Sequence, residues 1–186
     1  MTRDELEHII RAAGAILNED EVIVVGSQAI LSLTDADQLP PEVTLSVEAD
    51  LVPMVDPDER KADLIDGSIG EGSPFHETFH IYAQGVSRAT SRLPQGWESR
   101  LIPWRTEGTR GVTGWLLDPY DLLIAKYLAN RPKDREFCQA LGRTRLLDGQ
   151  ILLDRLALTD CTEAERQRVQ MLIHHDFLAS TADAEK

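Results

Sequence analysis

A short apolar run that ends in a glycine-serine turn is the feature that most limits how this chain can fold. Residues 21–25 are almost continuously β-branched, which predicts a short buried strand, and Gly26-Ser27 ends it. Residues 28–33 then fit a short helix. Residues 43–52 alternate polar and apolar side chains, which predicts a second strand. This succession of strand, helix and strand favours a fold that contains both α-helices and β-strands.

The rest of the first two-thirds continues this mixture. Thr2-x-x-Glu5 is a capping box, which predicts a helix to about residue 17. Residues 75–83 are rich in aromatic and β-branched side chains and favour a strand, although Ser73-Pro74 could also begin a helix. The other predicted elements are a short helix at 58–65, a loop at 67–74, and strands at 98–104 and 112–117.

From residue 118 onward the sequence predicts helices almost throughout. Asp118-Pro119 has an N-cap residue followed by proline at the first helical position. Further helix starts are predicted at Pro132, Asp148 and Thr162. We therefore predict an α+β protein with a mixed-sheet core at 1–117 and a helical region at 118–180. A continuous fold with a helical flank fits the pattern equally well.

Charge and hydropathy exclude some classes of protein. The net charge of −13 argues against general nucleic-acid binding. Residues 126–145 are the exception, with six basic and two acidic residues, a local balance of +4, so nucleic acid is expected only there. No apolar stretch approaches the roughly 20 residues that span a bilayer, and the chain begins without a signal-peptide core. We expect a cytoplasmic protein that does not enter membranes, with Cys138 and Cys161 as free thiols.

Two carboxylates alternate on the second predicted strand. Ser46, Glu48 and Asp50 would share one face, because residues two apart on a strand point the same way. Two neighbouring carboxylates repel each other unless a cation lies between them, and Mg²⁺ prefers oxygen ligands. The glycine in Gly26-Ser27 would let the backbone approach a phosphate closely. The alternative is a half-exposed strand whose polar residues simply face water.

A later basic cluster could complete such a site. Lys126 suits a phosphate as a point charge, and Arg131 could bind it through two hydrogen bonds. Lys126 and Asp134 are eight residues apart, so a straight helix would place them on nearby faces, but Pro132 interrupts that helix.

These residues, in this order, resemble a known family. The Gly26-Ser27 turn followed by Glu48-Ala-Asp50 looks like the nucleotidyltransferase fold of the polymerase-beta type. The segment from Lys126 to Asp134 resembles the Lys-then-Asp helical motif of bacterial nucleotidyltransferase-like proteins. These include the abortive-infection-type toxins and a related uncharacterised group, to which residues 82–86, 93–97 and 100–101 are also similar.

The resemblance implies a nucleotidyltransferase that binds a nucleoside triphosphate with Mg²⁺ and transfers a nucleotidyl group to an acceptor. Glu48 and Asp50 would then hold the metal, while Gly26, Ser27 and Arg131 would bind the nucleotide. The implied catalytic residues are Asp50, Lys126 and Asp134, with Lys126 meeting a phosphate and Asp134 orienting part of the site.

The chain departs from the family pattern at two positions. Glu48 stands where the common pattern has Asp. The pattern also has a third acid on a later strand, whereas the best candidate strand, at 79–83, has none; Glu77 and Glu98 are the nearest substitutes. The alternative function is therefore a catalytically degenerate ligand- or protein-binding module of the same fold.

A histidine motif suggests a third function. His76-Glu77-Thr78-Phe79-His80 matches the His-Glu-x-x-His pattern of zinc hydrolases. On a helix the two histidines would bind zinc and Glu77 would act as general base, provided that a third ligand came from elsewhere. Glu98 and Glu107 are the candidates for that ligand.

Overall fold

A five-stranded mixed sheet surrounded by helices forms the centre of the protein, and the computed structural model describes residues 1–179. The strands are β1 (Glu21–Val24), β2 (Glu48–Pro53), β3 (Tyr82–Gly85), β4 (Ile102–Trp104) and β5 (Thr113–Leu116). The helices are α1 (Arg3–Leu17), α2 (Pro41–Thr44), α3 (Arg60–Ile69), α4 (Pro74–Phe79), α5 (Pro119–Ala129), α6 (Pro132–Thr144), α7 (Gly149–Ala157) and α8 (Glu163–Ile173). The predicted α+β fold class is confirmed.

β1 is the central strand of the sheet. The strand order is β3-β2-β1-β5-β4, with β1 antiparallel to β2 and parallel to β5, and with β2 parallel to β3. Val22, Ile23 and Val24 are completely buried, as the apolar run predicts for a central strand. Beyond β1 the Val25 N–H donates to the Asp50 carbonyl at 3.0 Å, which holds the Gly26-Ser27 turn beside β2.

Both edges of the sheet are closed to further strands. At the β3 edge, the Gly85 N–H donates to the Asp66 carboxylate of α3 at 2.6 Å. A side chain on Gly85 would lie only 2.1 Å from the Ala62 carbonyl, so α3 packs directly against this strand. At the other edge, β4 is three residues long and has Pro103 at its middle, which has no N–H to donate.

The predicted helix starts are confirmed where a cap was visible in the sequence. Thr2 and Glu5 form the capping box that begins α1. The Asp118 side chain accepts hydrogen bonds from two backbone N–H groups at the start of α5. Asp148 and Thr162 cap α7 and α8 in the same manner. After α8 a π-helical turn continues through His174–Leu178.

Three strand predictions are wrong in their bounds. The strand predicted at 98–104 is only β4, because a 3-10 turn occupies Trp97–Arg100 before it. The strand predicted at 43–52 begins only at Glu48, because Pro41 opens the short helix α2 before it. The strand predicted at 75–83 is mostly the helix α4, and β3 begins only at Tyr82. In that segment the Ser73 hydroxyl accepts from the His76 N–H and Pro74 takes the first helical position, so a local cap outweighs the β-forming composition.

The helices after residue 117 pack against the sheet. One large apolar cluster joins α1, the sheet and the later helices, for example through Leu6, Leu51, Leu123 and Phe137. A smaller cluster on the other face of the sheet contains Ile23, Val25, Val52 and Val86. The division at residue 117 stays a prediction, and residue 180, the predicted end of the helical region, lies outside the described residues.

Two further expectations concern surfaces and thiols. Within residues 1–179, no helix combines the length and apolar character needed to traverse a bilayer. Cys138 is buried and Cys161 is half-buried, and both are free thiols, as predicted.

Candidate functional site

One cavity of about 360 Å³ collects the residues that the sequence singled out. It lies where β1 ends and β2 begins, between these antiparallel strands and the beginning of α6. All seven predicted site residues line it, namely Gly26, Ser27, Glu48, Asp50, Lys126, Arg131 and Asp134. The separated stretches of sequence therefore do converge on one hollow.

The two carboxylates of β2 share the face of the strand that borders the cavity. Between and after them, Ala49 and Leu51 are completely buried on the opposite face. The predicted alternation is therefore confirmed, and Glu48 and Asp50 lie side by side at the wall of the cavity.

Gly26 is needed because Asp50 occupies the space that a side chain would fill. A Cβ atom built on Gly26 would lie 1.6 Å from Asp50 Oδ2. The φ angle of Gly26 is −65°, which any residue can adopt, so the requirement is steric rather than conformational. The glycine thus makes room for a carboxylate on the neighbouring strand, in addition to the approach of a phosphate that the sequence suggested.

The surroundings of Asp50 disfavour its charged form. Burial, and after it the negative charge of Glu48, raises the pKa of Asp50 to about 6, while Lys126 and Lys133 act to lower it. A raised pKa means that the ionised form is disfavoured in this environment. A cation bound between the two carboxylates would remove that penalty.

Lys126 connects the two halves of the cavity. Its Nζ donates to Ser27 Oγ at 3.0 Å and to Asp134 Oδ1 at 3.1 Å. Asp134 is almost completely buried and also pairs with Arg131, whose Nε lies 3.1 Å from Oδ2. The lysine also lies 4.3 Å above the centre of the Phe137 ring. The cation is held by a hydroxyl, a carboxylate and an aromatic face while its side chain stays largely buried.

A helix break produces this arrangement. Asn130 adopts the left-handed conformation that ends α5, and its N–H donates to the Lys126 carbonyl. Pro132 then opens α6 at its first position. The reversal brings Asp134, in the first turn of α6, back onto Lys126 near the end of α5. Pro132, which prevents one straight helix from carrying both residues, therefore helps to create the contact between Lys126 and Asp134.

Two residues of β3 beside the β2 carboxylates were missed by the sequence analysis, and one of them lines the cavity. Tyr82 is the register partner of Glu48, and its hydroxyl donates to Glu48 Oε2 at 3.2 Å. Gln84 is the register partner of Asp50 and also lines the cavity. Gln84 was missed because the predicted strand ended at residue 83, one position too early.

No third acid faces the β2 pair in the part of the chain that the structure describes. Glu77 and Glu98, the predicted substitutes, do not line the cavity, and β3 contains no carboxylate. Gln84 stands in that place. The third acid of the family pattern, which the sequence does not show, is therefore also missing beside Glu48 and Asp50 among the described residues.

The rim of the cavity was not visible in the sequence. Thr90, Ser91 and Arg92 line it from the loop after β3. Arg92 is fixed by two hydrogen bonds, of 2.8 and 3.1 Å, to the carboxylate of Glu165 in α8. These two residues are 73 positions apart, and no local pattern marks either of them.

The donor set fits Mg²⁺ bound together with a nucleotide. Mg²⁺ commonly takes one or two protein carboxylates and completes its octahedron with substrate phosphates and water. Glu48 and Asp50 supply that pair, and Tyr82 fixes the longer arm of Glu48. Across residues 1–179 no group of three or more His, Cys, Asp or Glu side chains could hold a metal, so an all-protein cage is not available.

The histidine motif does not form a zinc site. Its segment is helical, as zinc binding would require, but His80 is the left-handed residue that ends α4 and departs from the helical face. His76 is engaged elsewhere, since its Nδ1 accepts from the Gly72 N–H at 3.0 Å and its ring contacts that of Tyr82. The third ligand is lacking among the described residues, Glu98 and Glu107 included.

The basic stretch at 126–145 is not one continuous basic surface. Lys126 and Arg131 are paired with Asp134, and Arg143 is paired with Glu42 of α2. Arg131 and Lys133 border the cavity, whereas Arg143 lies at the other end of the 13-residue helix α6. The basic groups of this stretch that lie at the cavity are therefore suited to a small anion.

Comparison with known protein families identifies a family that the chain matches. A family model described as "Nucleotidyltransferase of unknown function (DUF6036)" matches residues 4–179. This range contains every residue of the cavity and agrees with the resemblance noted in the sequence. No curated protein and no solved structure matches the chain significantly.

Proposed function

The chain belongs to this family of nucleotidyltransferases of unknown function, and from that membership we propose that it binds a Mg²⁺–nucleoside triphosphate and transfers the nucleotidyl group to an acceptor. The cavity at the end of β1 and the beginning of β2 is the proposed site. Its volume of about 360 Å³ falls within the range typical of small-molecule sites, about 300–1,000 Å³.

The proposed roles follow from charge. Glu48 and Asp50 hold the cation, which neutralises the phosphates and orients them. Ser27, Lys126 and Arg131 bind phosphate oxygens, for which a hydroxyl, an ammonium and a guanidinium are the complementary donors. Asp134 keeps the lysine in place.

The proposed reaction is a substitution at the α-phosphorus. An acceptor oxygen forms a bond to that phosphorus, and the bond from the phosphorus to the oxygen of the β-phosphate breaks. Pyrophosphate leaves with the electron pair of the broken bond, and the acceptor proton passes to solvent. The side chains contribute position and charge stabilisation, which are the main protein contributions to phosphoryl-type transfer.

One observation carries the proposal: Lys126 Nζ contacts Ser27 Oγ in the same cavity that Glu48 and Asp50 line. A polyphosphate bound with a cation needs cationic donors on one side and carboxylates near the metal on the other. Both are present within a single hollow.

Calorimetric titration with ATP, GTP, CTP and UTP, with and without Mg²⁺, tests binding. We expect Mg²⁺-dependent binding that is lost in the double variant Glu48→Gln/Asp50→Asn. The matched control is Glu77→Gln/Glu98→Gln, which neutralises two exposed acids outside the cavity and should bind like the native chain. Unchanged affinity in the first double variant would remove the metal assignment.

Transfer is tested separately with α-³²P-labelled triphosphates and a cell extract. Label transfer to a macromolecule or metabolite, with release of pyrophosphate, is the expected result. A second candidate, nucleotide binding without transfer, is favoured by Gln84 in place of a third carboxylate. Tight Mg²⁺-dependent binding with no label transfer and no pyrophosphate would support this second candidate.

A further inference from the structure

Gln84 lies where a third carboxylate would face the pair on β2. Its Cα is the register partner of Asp50, just as Tyr82 is the partner of Glu48. Ala83, between Tyr82 and Gln84, is completely buried on the other face of the sheet. Neighbouring strands lie about 4.8 Å apart, so the side chains of Gln84 and Asp50 leave adjacent backbone positions on one face of the sheet, and both line the cavity.

The remaining carboxylates are too few for two cations. Among the described residues that line the cavity, the acids are Glu48, Asp50 and Asp134. Asp134 is already paired with Lys126 and Arg131. Two-cation centres hold their ions about 3.5–4 Å apart, and at that distance carboxylates must both bridge the ions and hold the outer one. Glu48 and Asp50 alone cannot do both.

We propose that the nucleotide site takes one divalent cation per chain, and that Gln84 excludes a second by offering an amide where a carboxylate would be needed. This inference rests on the proposed nucleotide function of the same cavity. An amide oxygen carries no charge and is a weaker ligand for a hard cation than a carboxylate. Its NH₂ group, in contrast, can donate to a phosphate or hydroxyl oxygen. Gln84 is thus a specificity-determining residue that selects substrate oxygen over a second metal.

The position of Gln84 also bears on how the acceptor is held. Thr90 and Ser91 line the cavity together with Gln84. These three side chains are neutral hydrogen-bonding groups. With Arg92 beside them at the rim, they offer hydrogen bonds to an acceptor oxygen without adding a carboxylate that could hold a second cation.

Counting bound Mn²⁺ tests this inference directly. The full chain is titrated with Mn²⁺ in the presence of the α,β-methylene analogue of the triphosphate that binds best, and free Mn²⁺ is measured by electron paramagnetic resonance. The test variant is Gln84→Glu, which changes charge but hardly changes shape. The control is Gln95→Glu, which adds the same charge at an exposed position outside the cavity.

We expect one Mn²⁺ per chain for the native protein and for the Gln95→Glu control, and two for Gln84→Glu. Two Mn²⁺ in the native protein would overturn the inference while leaving the proposed function intact. One Mn²⁺ in Gln84→Glu, and also in Gln84→Asp as a second variant, would overturn the role of Gln84. Absence of any Mn²⁺–nucleotide binding by the native chain would remove the proposed function itself and this inference with it.

Discussion

The ammonium group of Lys126 lies 3.0 Å from the hydroxyl of Ser27, although 99 residues separate them in the chain. This contact joins α5 to the turn that follows β1. The same ammonium group contacts the buried carboxylate of Asp134. A phosphate entering the cavity would therefore meet a lysine whose position is already set by two partners.

Replacing Lys126 by Met should weaken nucleotide binding by at least about tenfold, because hydrogen bonds to charged groups contribute about 1.5–3 kcal/mol. The variant should also unfold more easily, by about 1–3 kcal/mol, since Asp134 loses a partner while buried. Calorimetry measures the first effect and chemical denaturation the second.

A double variant separates these two effects. Lys126→Met/Asp134→Asn removes the buried charge as well, so most of the lost stability should return while nucleotide affinity stays low. Arg143→Gln, at the exposed pair with Glu42, is the control and should change neither quantity appreciably. Native-like affinity in the double variant would contradict the phosphate role of Lys126.

Gly26→Ala should displace Asp50, because the new Cβ would lie 1.6 Å from Asp50 Oδ2. We expect Mg²⁺–nucleotide affinity to fall by at least about tenfold, a loss comparable to removing a well-placed charged contact. Adding Asp50→Ala should recover thermal stability without recovering binding, since the clashing oxygens are then gone.

Gly67→Ala is the matched control for that substitution. Gly67 lies within α3, and a Cβ there would meet nothing within 4 Å. This change should raise the free energy of unfolding by about 0.5–1 kcal/mol, because alanine favours a helix more than glycine does. Equal behaviour of the two alanine variants would show that Gly26 does not make room for Asp50.

The raised pKa of Asp50, about 6, predicts how cation binding depends on pH. Below that pH the carboxyl group is protonated, so Mg²⁺ affinity should fall by nearly tenfold per pH unit, the limit for one competing proton. In Glu48→Gln the midpoint should move to lower pH, because one of the charges that raises the pKa is gone. Titrations between pH 5 and 8 check both expectations, and a flat profile would contradict them.

The same pKa predicts that the ionisation of Asp50, which favours cation binding, lowers the stability of the cation-free fold. An acid whose pKa is higher in the folded state binds its proton more tightly when folded, so stability falls as pH rises from about 4 to about 6. Asp50→Asn removes this loss. The variant should exceed the native chain by on the order of 2–3 kcal/mol at pH 7.5 and match it near pH 4, by urea denaturation. A native chain that is the more stable at pH 7.5 would contradict the stated environment of Asp50.

Tyr82→Phe should weaken Mg²⁺ binding by about tenfold, as is typical when a group that orients a metal ligand is lost. The removed hydroxyl donates to Glu48 Oε2, so Glu48 would be less well oriented. Tyr127→Phe is the control, because its hydroxyl also donates to a carboxylate, that of Asp176 at 2.8 Å, outside the cavity. Tyr127→Phe should lose stability and keep its Mg²⁺ affinity. Unchanged Mg²⁺ affinity in Tyr82→Phe would exclude Tyr82 as a positioning residue.

Local chemistry explains which elements the sequence revealed. Thr2, Asp118 and Thr162 start helices through contacts with backbone groups only two or three residues away, so their effect is visible in a few letters. At 75–83 two local signals competed, and the cap at Ser73-Pro74 prevailed over β-forming composition. The strand therefore lies at Tyr82–Gly85 and includes Gln84, which the predicted strand, ending at residue 83, left out.

The candidate site divides in the same way. Glu48 and Asp50 were identifiable because alternation along a strand fixes the face on which they lie. The convergence of Lys126 with Ser27 required the order of motifs in a known family, since no spacing rule connects residues so far apart. Arg92 and Glu165 meet only because α8 packs beside the loop after β3, and neither carries a sequence signature.

The closed edges of the sheet have a consequence for handling the protein. With Asp66 holding the backbone of Gly85 and with Pro103 at the centre of β4, neither outer strand offers a ladder to a neighbouring molecule. Joining of sheets between copies is the usual first step toward fibrous precipitates. The chain should thus stay dispersed at the millimolar concentrations that weak-ligand titrations demand.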